Sequence, residues 1–165
     1  MDEIVKAAMA KWPEVPACYG WLGLDARGQW HLRDDEVQRI GPFAGADPAG
    51  RGQRLEHEKL IAFIGRNYGN CEQGRWFFQN GPQRVYVELE ATPWVWRVDP
   101  DGTVRTHTGI PAQVQQCWVD EHGKVYLACD VGFGLLQSQD VPWAAQALEK
   151  GLWLPQDCQS AAMPV

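Results

Sequence analysis

The sequence predicts an α+β fold built from antiparallel β-hairpins in two duplicated halves, with one main helix at about residues 57–68 and short helices near both ends. Turns rich in Gly, Asn, Asp and Pro separate short stretches of alternating apolar and polar residues, which is the pattern of hairpins. One longer stretch has helical spacing instead. The chain also matches itself at an offset of 49 residues, which indicates duplication.

The central hairpin is predicted at residues 74–94. Its aromatic first strand ends at Asn80-Gly81-Pro82, which supplies a positive φ followed by a fixed φ. In the second strand Val85, Val87 and Leu89 should face the core, because successive side chains of a strand alternate. The side chains predicted to face the other way are Arg84, Tyr86, Glu88 and Glu90.

Three other hairpins are predicted around the turns at residues 25–28, 99–102 and 120–123. The turn at 99–102, Asp-Pro-Asp-Gly, carries the most explicit turn chemistry of the three. A further strand is expected at residues 133–139. The residues beyond Pro155 are expected to fray, because chain ends without packing partners are poorly ordered.

The main helix is predicted from Leu60, Phe63, Ile64 and Tyr68, which recur at helical spacing before Gly69. Shorter helices are expected at residues 2–12 and at 142–148. Residues 41–52 hold four glycines and two prolines, which predicts an exposed loop. That loop is either a lid over a site or a surface insertion without a function.

The internal match places Gly74 on Gly123, Pro93 on Pro142 and Trp94 on Trp143. The turns at 25–28 and 99–102 also correspond, if the 41–52 loop and the main helix belong to the first half alone. We therefore expect an N-terminal half at residues 1–95 (helix, hairpin, Gly-rich loop, helix, hairpin). A C-terminal half at 96–165 would contain two hairpins, a strand, a short helix and a tail. The two halves would form one compact unit, since short hairpins are marginally stable alone.

Composition excludes several classes of protein. The net charge of −6 and the pI near 5.1 argue against nucleic-acid binding, which depends on clustered Lys and Arg. Five widely spaced cysteines signal neither a disulfide framework nor a metal site, and they suit the cytoplasm. No apolar run is long enough to cross a membrane and the N-terminus has no leader pattern. The nine tryptophans fit a small core better than an aromatic cleft.

Catalytic and cofactor motifs are incomplete. His57-Glu58 begins like the zinc-protease pattern H-E-x-x-H, but residue 61 is Ile, so the second ligand is missing. Gly132-Phe133-Gly134 lacks the remainder of a dinucleotide-binding motif, and no serine lies in a G-x-S-x-G motif. We predict neither a cofactor nor a metal ion.

A small-molecule site, if present, is expected on the outward face of the central hairpin. Glu88 and Glu90 would lie ~7 Å apart, a separation that acid and base catalysis can use, although exposed charges on a half-buried strand give the same pattern. The candidate ligand-binding residues are Arg66, Asn67, Arg84, Tyr86, Glu88, Glu90, Trp94 and Arg97.

Three stretches carry a resemblance to a known family: residues 19–25, residues 57–68 and the run from Gly74 to Trp96. In them the chain resembles a proteobacterial family of uncharacterised cytoplasmic proteins. A second similarity, through Val87 to Trp94, is to a family of unknown function built from two related α+β halves. The first resemblance implies no activity, whereas the second implies duplication and a role in bacterial signalling.

Three functions remain open at this point. The first is a cytoplasmic binding or regulatory module that recognises a small molecule or a protein partner. The second is an enzyme that uses Glu88 and Glu90 as acid and base. The third is a structural or assembly protein, and unpaired hairpin edges would suit a homodimer.

Overall fold

The computed structural model describes residues 1–164, which divide into two compact units. The first unit comprises Met1–Asp25 and Gln29–Glu90. The second comprises Ala26–Gly28 and the described part of Ala91–Val165. Each unit contains one β-sheet with short helices, so the α+β fold class is confirmed.

The first unit holds six strands and three helices. Its helices are α1 (Glu3–Lys11), α2 (Asp35–Ile40) and α3 (Glu58–Arg66), with a 3-10 turn at Pro48–Arg51. Its strands are β1 (Cys18–Leu24), β2 (Trp30–Leu32), β3 (Gln53–Arg54), β4 (Tyr68–Asn70), β5 (Trp76–Asn80) and β6 (Gln83–Leu89). They lie in the order β3-β2-β1-β6-β5-β4, and every neighbouring pair is antiparallel except β1 and β6.

The described residues of the second unit form seven strands and one α-helix. The strands are β7 (Trp94–Val98), β8 (Val104–Thr106), β9 (Pro111–Ala112), β10 (Val114–Val119), β11 (Val125–Cys129), β12 (Gly132–Leu136) and β13 (Pro155–Asp157). The helix α4 spans Val141–Glu149, and 3-10 turns occupy Ser138–Asp140 and Ser160–Ala162. The strand order is β13-β10-β11-β12-β7-β8-β9.

Six strands of the second sheet match the first sheet in order and register, and β13 is an additional strand at the edge of the second. Phe77 pairs with Tyr86 in the first sheet, and Tyr126 pairs with Leu135, each 49 positions further along, in the second. The pairs Leu22–Leu32 and Trp96–Thr106 correspond in the same way at an offset of 74. In both sheets the two inner hairpins join through a parallel pair, β1 with β6 and β7 with β12. This arrangement fits duplicated halves.

Two segments of the first unit have no counterpart in the second. Residues 33–52 connect β2 to β3, whereas residues 107–110 suffice between β8 and β9. The helix α3 lies between β3 and β4, whereas Gln113 alone separates β9 from β10. The inserted segments therefore give the first unit its own cover over the sheet.

The first sheet is strongly curled. Trp30 on β2 and Tyr68 on β4 are separated by three intervening strands, which would place them ~19 Å apart in a flat sheet. Their ring centroids nevertheless lie 5.2 Å apart. The inner face is therefore concave, and Phe63 of α3 packs edge to face against Phe78 on it at 5.6 Å.

The second sheet is covered by α4. Ala144 and Ala147 of this helix are buried in one continuous apolar cluster with Trp96, Leu127 and Leu136. The small alanine side chains let the helix approach the sheet closely. Burial in the same cluster raises the pKa of the Cys117 thiol to about 11. An apolar cluster therefore occupies the space between this sheet and α4, and a cleft of about 370 Å³ borders it at Cys117 and Trp153.

The structure differs from the sequence-based expectations at several elements. Tyr68 begins β4 rather than ending the main helix, because its backbone pairs with Phe78. Residues 41–52 are not wholly exposed, since Phe43 is buried against Gly23. The helix α2, which begins where the Asp34 carboxylate accepts a hydrogen bond from Val37 N, has too little apolar periodicity to be predicted.

The C-terminal part of the second unit also differs from expectation. The strand predicted at 133–139 ends at Leu136, because a 3-10 turn follows. Among the described residues, Pro155–Asp157 do not fray as expected but form β13, which pairs in parallel with β10. Buried Trp153, two residues earlier, anchors this strand.

Candidate functional site

A cavity of about 740 Å³ lies on the concave face of the first sheet. Its size falls within the range of roughly 300–1,000 Å³ that is usual for small-molecule sites. The residues that line it come from β1–β3, β5, β6, α3 and the inserted segment 33–52. They are Cys18, Trp21, Leu22, Leu32, Arg33, Asp34, Val37, Ala49, Gly52, Gln53, Leu60, Ile64, Phe78, Asn80, Gln83 and Val85.

The deep wall of the cavity is apolar. Leu22, Ile64, Phe78 and Val85 are all buried. Phe78 and Val85 are directly paired on β5 and β6, so their side chains share the inner face. The alternation that predicts an inward-facing Val85 thus places it in the wall of a cavity as well as in the core.

A bulge in β1 helps to open the cavity. Cys18 pairs with Val85 and Leu22 pairs with Val87, so the chain between Cys18 and Leu22 bows away from β6. Gly20 lies in this bulge with φ +81°, and a Cβ there would come within 2.5 Å of Gln38 Oε1. A side chain at position 20 would therefore disturb both the bulge and the inserted segment.

Arg33 holds the inserted segment against the sheet. Arg33 is only 3% exposed, and its Nε donates a hydrogen bond to Gly50 O at 2.7 Å. Nη1 donates to Gly20 O at 3.1 Å and Nη2 donates to Gly41 O. Because its nitrogens bind backbone carbonyls, Arg33 shapes the wall of the cavity rather than offering a site for an anion.

Polar side chains surround the mouth of the cavity. Asn80 and Gln53 are exposed, while Gln83 is half-buried and donates from Nε2 to Pro16 O at 3.2 Å. Asp34, which caps α2, is the only carboxylate that lines the cavity within residues 1–164. Burial raises the pKa of the Cys18 thiol, so this group stays protonated near neutral pH. The lining therefore favours an uncharged apolar molecule with a hydrogen-bonding end.

Arg66 and Asn67, both predicted site residues, have structural partners in the first unit. Arg66 Nε donates to the Asp2 carboxylate at 3.1 Å. Buried Asn67 accepts from Asp2 N at 2.8 Å through Oδ1 and donates to Phe63 O at 2.9 Å. The two side chains thereby join the start of α1 to the end of α3.

Arg84, Tyr86 and Glu88 lie on the outer face of β6, opposite to the cavity. The Arg84 guanidinium carbon is 4.0 Å from the centroid of the Phe77 ring. Tyr86 stacks on Tyr19 with ring centroids 4.8 Å apart. A second cleft, of about 370 Å³, brings two of these predicted residues together; its lining is Met9, Trp12, Pro13, Val15, Ala17, Gln79, Pro82, Arg84 and Tyr86.

The remaining predicted residues are held by ion pairs or lie in the second unit. Both guanidinium Nη atoms of Arg51 donate to the Glu90 carboxylate. In the second unit, Arg97 Nε donates to Asp140 Oδ2 at 3.1 Å. Trp94 lies there as well, with its ring 5.9 Å from that of His107. A proton-transfer role for Glu90 would require breaking its pair with Arg51.

Apolar residues that line the cavity, such as Leu22, Ile64 and Phe78, have the sequence signature of core residues, so they were not predicted as a site. One signal was present in the internal repeat. Leu22 and Val85 correspond to Trp96 and Gly134, so bulk differs between the halves at matched positions. Whether a smaller side chain at these positions leaves a cavity depends on how the inserted segments pack. An alignment of the two repeats does not contain that information.

Within residues 1–164 no helix is both long enough and apolar enough to cross a membrane. No group of three or more His, Cys, Asp or Glu side chains in the same residues is arranged to hold a metal ion.

The fold and cavity define a class of protein: an α+β chain with two matching sheets, the first of which carries a cavity of about 740 Å³. The chain belongs to the family DUF2944, described as "Protein of unknown function (DUF2946)", which matches residues 1–164. The expected membership of a family without an assigned activity is therefore confirmed. No curated protein matches the sequence.

Two solved structures are similar to the chain, and both are DUF1285 family proteins. The one from Silicibacter pomeroyi DSS-3 is 14% identical with a TM-score of 0.46, covering 84% of this chain and 80% of its own. The one from Shewanella baltica OS155 is 18% identical with a TM-score of 0.47, covering 76% of this chain and 91% of its own. Neither description names a ligand or a reaction.

Proposed function

We propose that this protein is a binding module whose first unit takes up a small, uncharged, largely apolar molecule. The observation that carries the proposal is the cavity of about 740 Å³ between the curled sheet and α3. A cavity of this size with an apolar wall and a few polar groups at one end is typical of small-molecule sites.

The lining sets the chemistry of the ligand. An apolar body would contact Leu22, Ile64 and Phe78, since burial of apolar surface is the main source of affinity in such a site. A hydroxyl, ester or amide group would reach Asn80 and Gln83 at the mouth. An anionic end would be disfavoured, because Asp34 is near and Arg33 is bound to carbonyl groups.

Cytoplasmic location and a regulatory role belong to the same proposal. The five cysteines are all free thiols, which suits a reducing compartment. A domain that binds a small molecule can regulate a partner when the ligand prefers one conformation of the domain.

The experiment uses a neutral fluorescent probe, N-phenyl-1-naphthylamine, whose emission increases in apolar surroundings. We expect saturable binding to the wild-type chain and a raised midpoint of thermal unfolding, because a ligand that prefers the folded state stabilises it. Leu60→Trp, which places an indole in the cavity, should weaken binding at least about tenfold through steric exclusion.

The matched control is Lys59→Trp, which introduces the same side chain one residue earlier on an exposed position of α3. This variant should bind the probe like the wild type. Equal binding by both variants, or no binding by the wild type, would contradict the proposal.

A further inference from the structure

The second cleft, of about 370 Å³, is a separate feature on the outer face of the first sheet. One wall is formed by the end of α1 and the segment after it, including Met9, Trp12 and Val15. The other wall is formed by Gln79 and Arg84, which are paired across β5 and β6, and by Tyr86. Its volume is at the lower end of the range for small-molecule sites, roughly 300–1,000 Å³.

Arg84 supplies an uncompensated cation to this cleft. Its guanidinium is held over the Phe77 ring, and within residues 1–164 it forms no ion pair. The Arg75 guanidinium carbon lies 4.6 Å from the Tyr86 ring centroid, so a second cation is close by. In a chain with a net charge of −6, this is a local positive site. A planar guanidinium with accessible N–H groups binds carboxylate and phosphate oxygens well.

The opposite wall is apolar and partly exposed. Trp12 is 50% exposed, and Val15 is exposed as well. The Lys11 ammonium group is 4.5 Å from the Trp12 ring centroid, which adds positive charge beside this wall. Buried Gln79, which also lines the cleft, has an Oε1 atom without a hydrogen-bond partner in residues 1–164; this oxygen is an acceptor, so it suits a donor group on the ligand and not the anionic group.

We propose that this cleft binds a small organic anion, whose carboxylate or phosphate contacts Arg84 while an apolar or aromatic body packs against Trp12 and Tyr86. The site is distinct from the cavity under α3, which has no available cation and selects uncharged molecules. Glu88 is exposed on the same face, two residues beyond Tyr86. Its carboxylate repels an anion on that side of the cleft. The anion therefore lies towards the α1 side of Arg84.

The test is an NMR titration of the ¹⁵N-labelled full chain with phenylacetate, phenyl phosphate and neutral phenylacetamide. We expect one or both anions to shift the Arg84 Nε–H and Trp12 indole N–H signals, and the acid that binds identifies the anionic group. The neutral amide should bind at least about tenfold more weakly, because a charge-assisted hydrogen bond to the guanidinium is lost. Backbone signals of Ile64 and Val85, which line the other cavity, should not move.

Arg84→Met should weaken binding of the anion at least about tenfold. The control Arg105→Met removes an exposed arginine from β8 and should leave binding unchanged. If Arg84→Met fails to fold, the proposal is tested by comparing the affinities for the acid and for the amide, measured on the wild type and on the Arg84→Lys variant. Equal affinity for acid and amide, shifts centred on Ile64, or no response to either anion would overturn the proposal. None of these results depends on whether the neutral probe binds under α3.

Discussion

The two units contain matching sheets, yet the cavity of about 740 Å³ lies on the first, whereas the second carries a continuous apolar cluster around Trp96 and a smaller cleft of about 370 Å³ beside β10. In the first, large rings lie at Trp30, Tyr68 and Trp76, and the middle of the inner face carries Leu22 and Val85. In the second, the corresponding middle position carries Trp96, which is 0% exposed and whose Nε1–H donates to Leu127 O at 2.9 Å. The difference shows that two matching sheets can differ in the space on their inner faces when a large side chain in one replaces a smaller one at the matched position of the other.

A glycine provides the space that the Trp96 indole occupies in the second sheet. Gly134 pairs with Trp94 on the neighbouring strand, and a Cβ there would lie 2.2 Å from Trp94 O and 3.0 Å from Trp96 Nε1. The Trp96 indole can therefore lie across β12 at this point. In the first unit Val85 occupies the matched position and the bulge in β1 moves the facing strand away.

The largest expected effect comes from truncating the matched residues Trp96 and Leu22. Trp96→Ala should lower the free energy of unfolding by about 4 kcal/mol, as is usual for a fully buried large ring. Leu22→Ala should cost only about 2 kcal/mol, at the low end for buried leucine, because Leu22 already borders a cavity. Urea unfolding of both variants measures the difference. A greater loss for Leu22→Ala would contradict the assignment of roles.

A smaller effect is expected from Arg33, which fixes the segment that only the first unit possesses. Arg33→Met should cost about 2–3 kcal/mol, since it removes charge-assisted bonds to one buried and two partly buried carbonyl groups. Amide hydrogen exchange should accelerate in residues 41–51 more than in the second unit. The exposed control Arg105→Met should cost less than about 0.5 kcal/mol. Uniform acceleration across both units would show that Arg33 does not act locally.

A still smaller effect is expected from the pair between Arg51 and Glu90, which joins the inserted segment to the end of β6. The hydrogen bonds to Glu90 raise the pKa of Arg51. The two side chains are 32% and 27% exposed, so solvent screens the pair and its coupling free energy should be only about 0.5–1 kcal/mol. A double-mutant cycle with Arg51→Met and Glu90→Gln measures it, and the coupling should shrink at high salt. A coupling free energy that does not change with salt concentration would contradict a solvent-screened ion pair between Arg51 and Glu90.

The smallest effect concerns pH and the second unit alone. The Glu121 carboxylate accepts hydrogen bonds from the Ser160 hydroxyl and from the backbone N–H groups of Ser160 and Glu121. These bonds lower the pKa of Glu121 from 4.5 to about 2. Because the folded-state pKa is depressed, this contact stabilises the fold above pH 4.5 and its contribution is lost as pH falls towards 2. An NMR titration should give a midpoint near 2, and Ser160→Ala should raise it towards 4.5. A midpoint that is the same in both proteins would disprove the contact.

Local rules predicted most of the strands and the duplication. The turns at 25–28, 80–82, 99–102 and 120–123 carry residues that fix turn geometry, and the alternation around Val85 fixes which side chains face inward. The parallel pairing of β1 with β6 was not predicted, because it joins strands that are distant in sequence. The short helix α2 and strand β13 were missed because tertiary contacts, rather than periodicity, stabilise them.

The candidate site was less predictable than the fold. Arg84 and Tyr86 were recognised as an outward pair, and the structure places them in one cleft. The cavity under α3 was not anticipated, because Leu22, Ile64 and Phe78 have the sequence signature of core residues. Whether such residues leave a space depends on the curl of the sheet, the β1 bulge and the anchor at Arg33, which all arise from long-range contacts.

The most direct test of the central claim is to locate the neutral probe by ¹³C-methyl NMR in the full chain. We expect N-phenyl-1-naphthylamine to shift the methyl signals of Leu22, Ile64 and Val85 in the first unit. The signals of Leu127 and Leu136, which lie in the packed second unit, should stay where they are. Probe-induced shifts centred on Leu127 and Leu136, or none at Leu22 and Ile64 under saturating probe, would contradict the division between a binding half and a packed half.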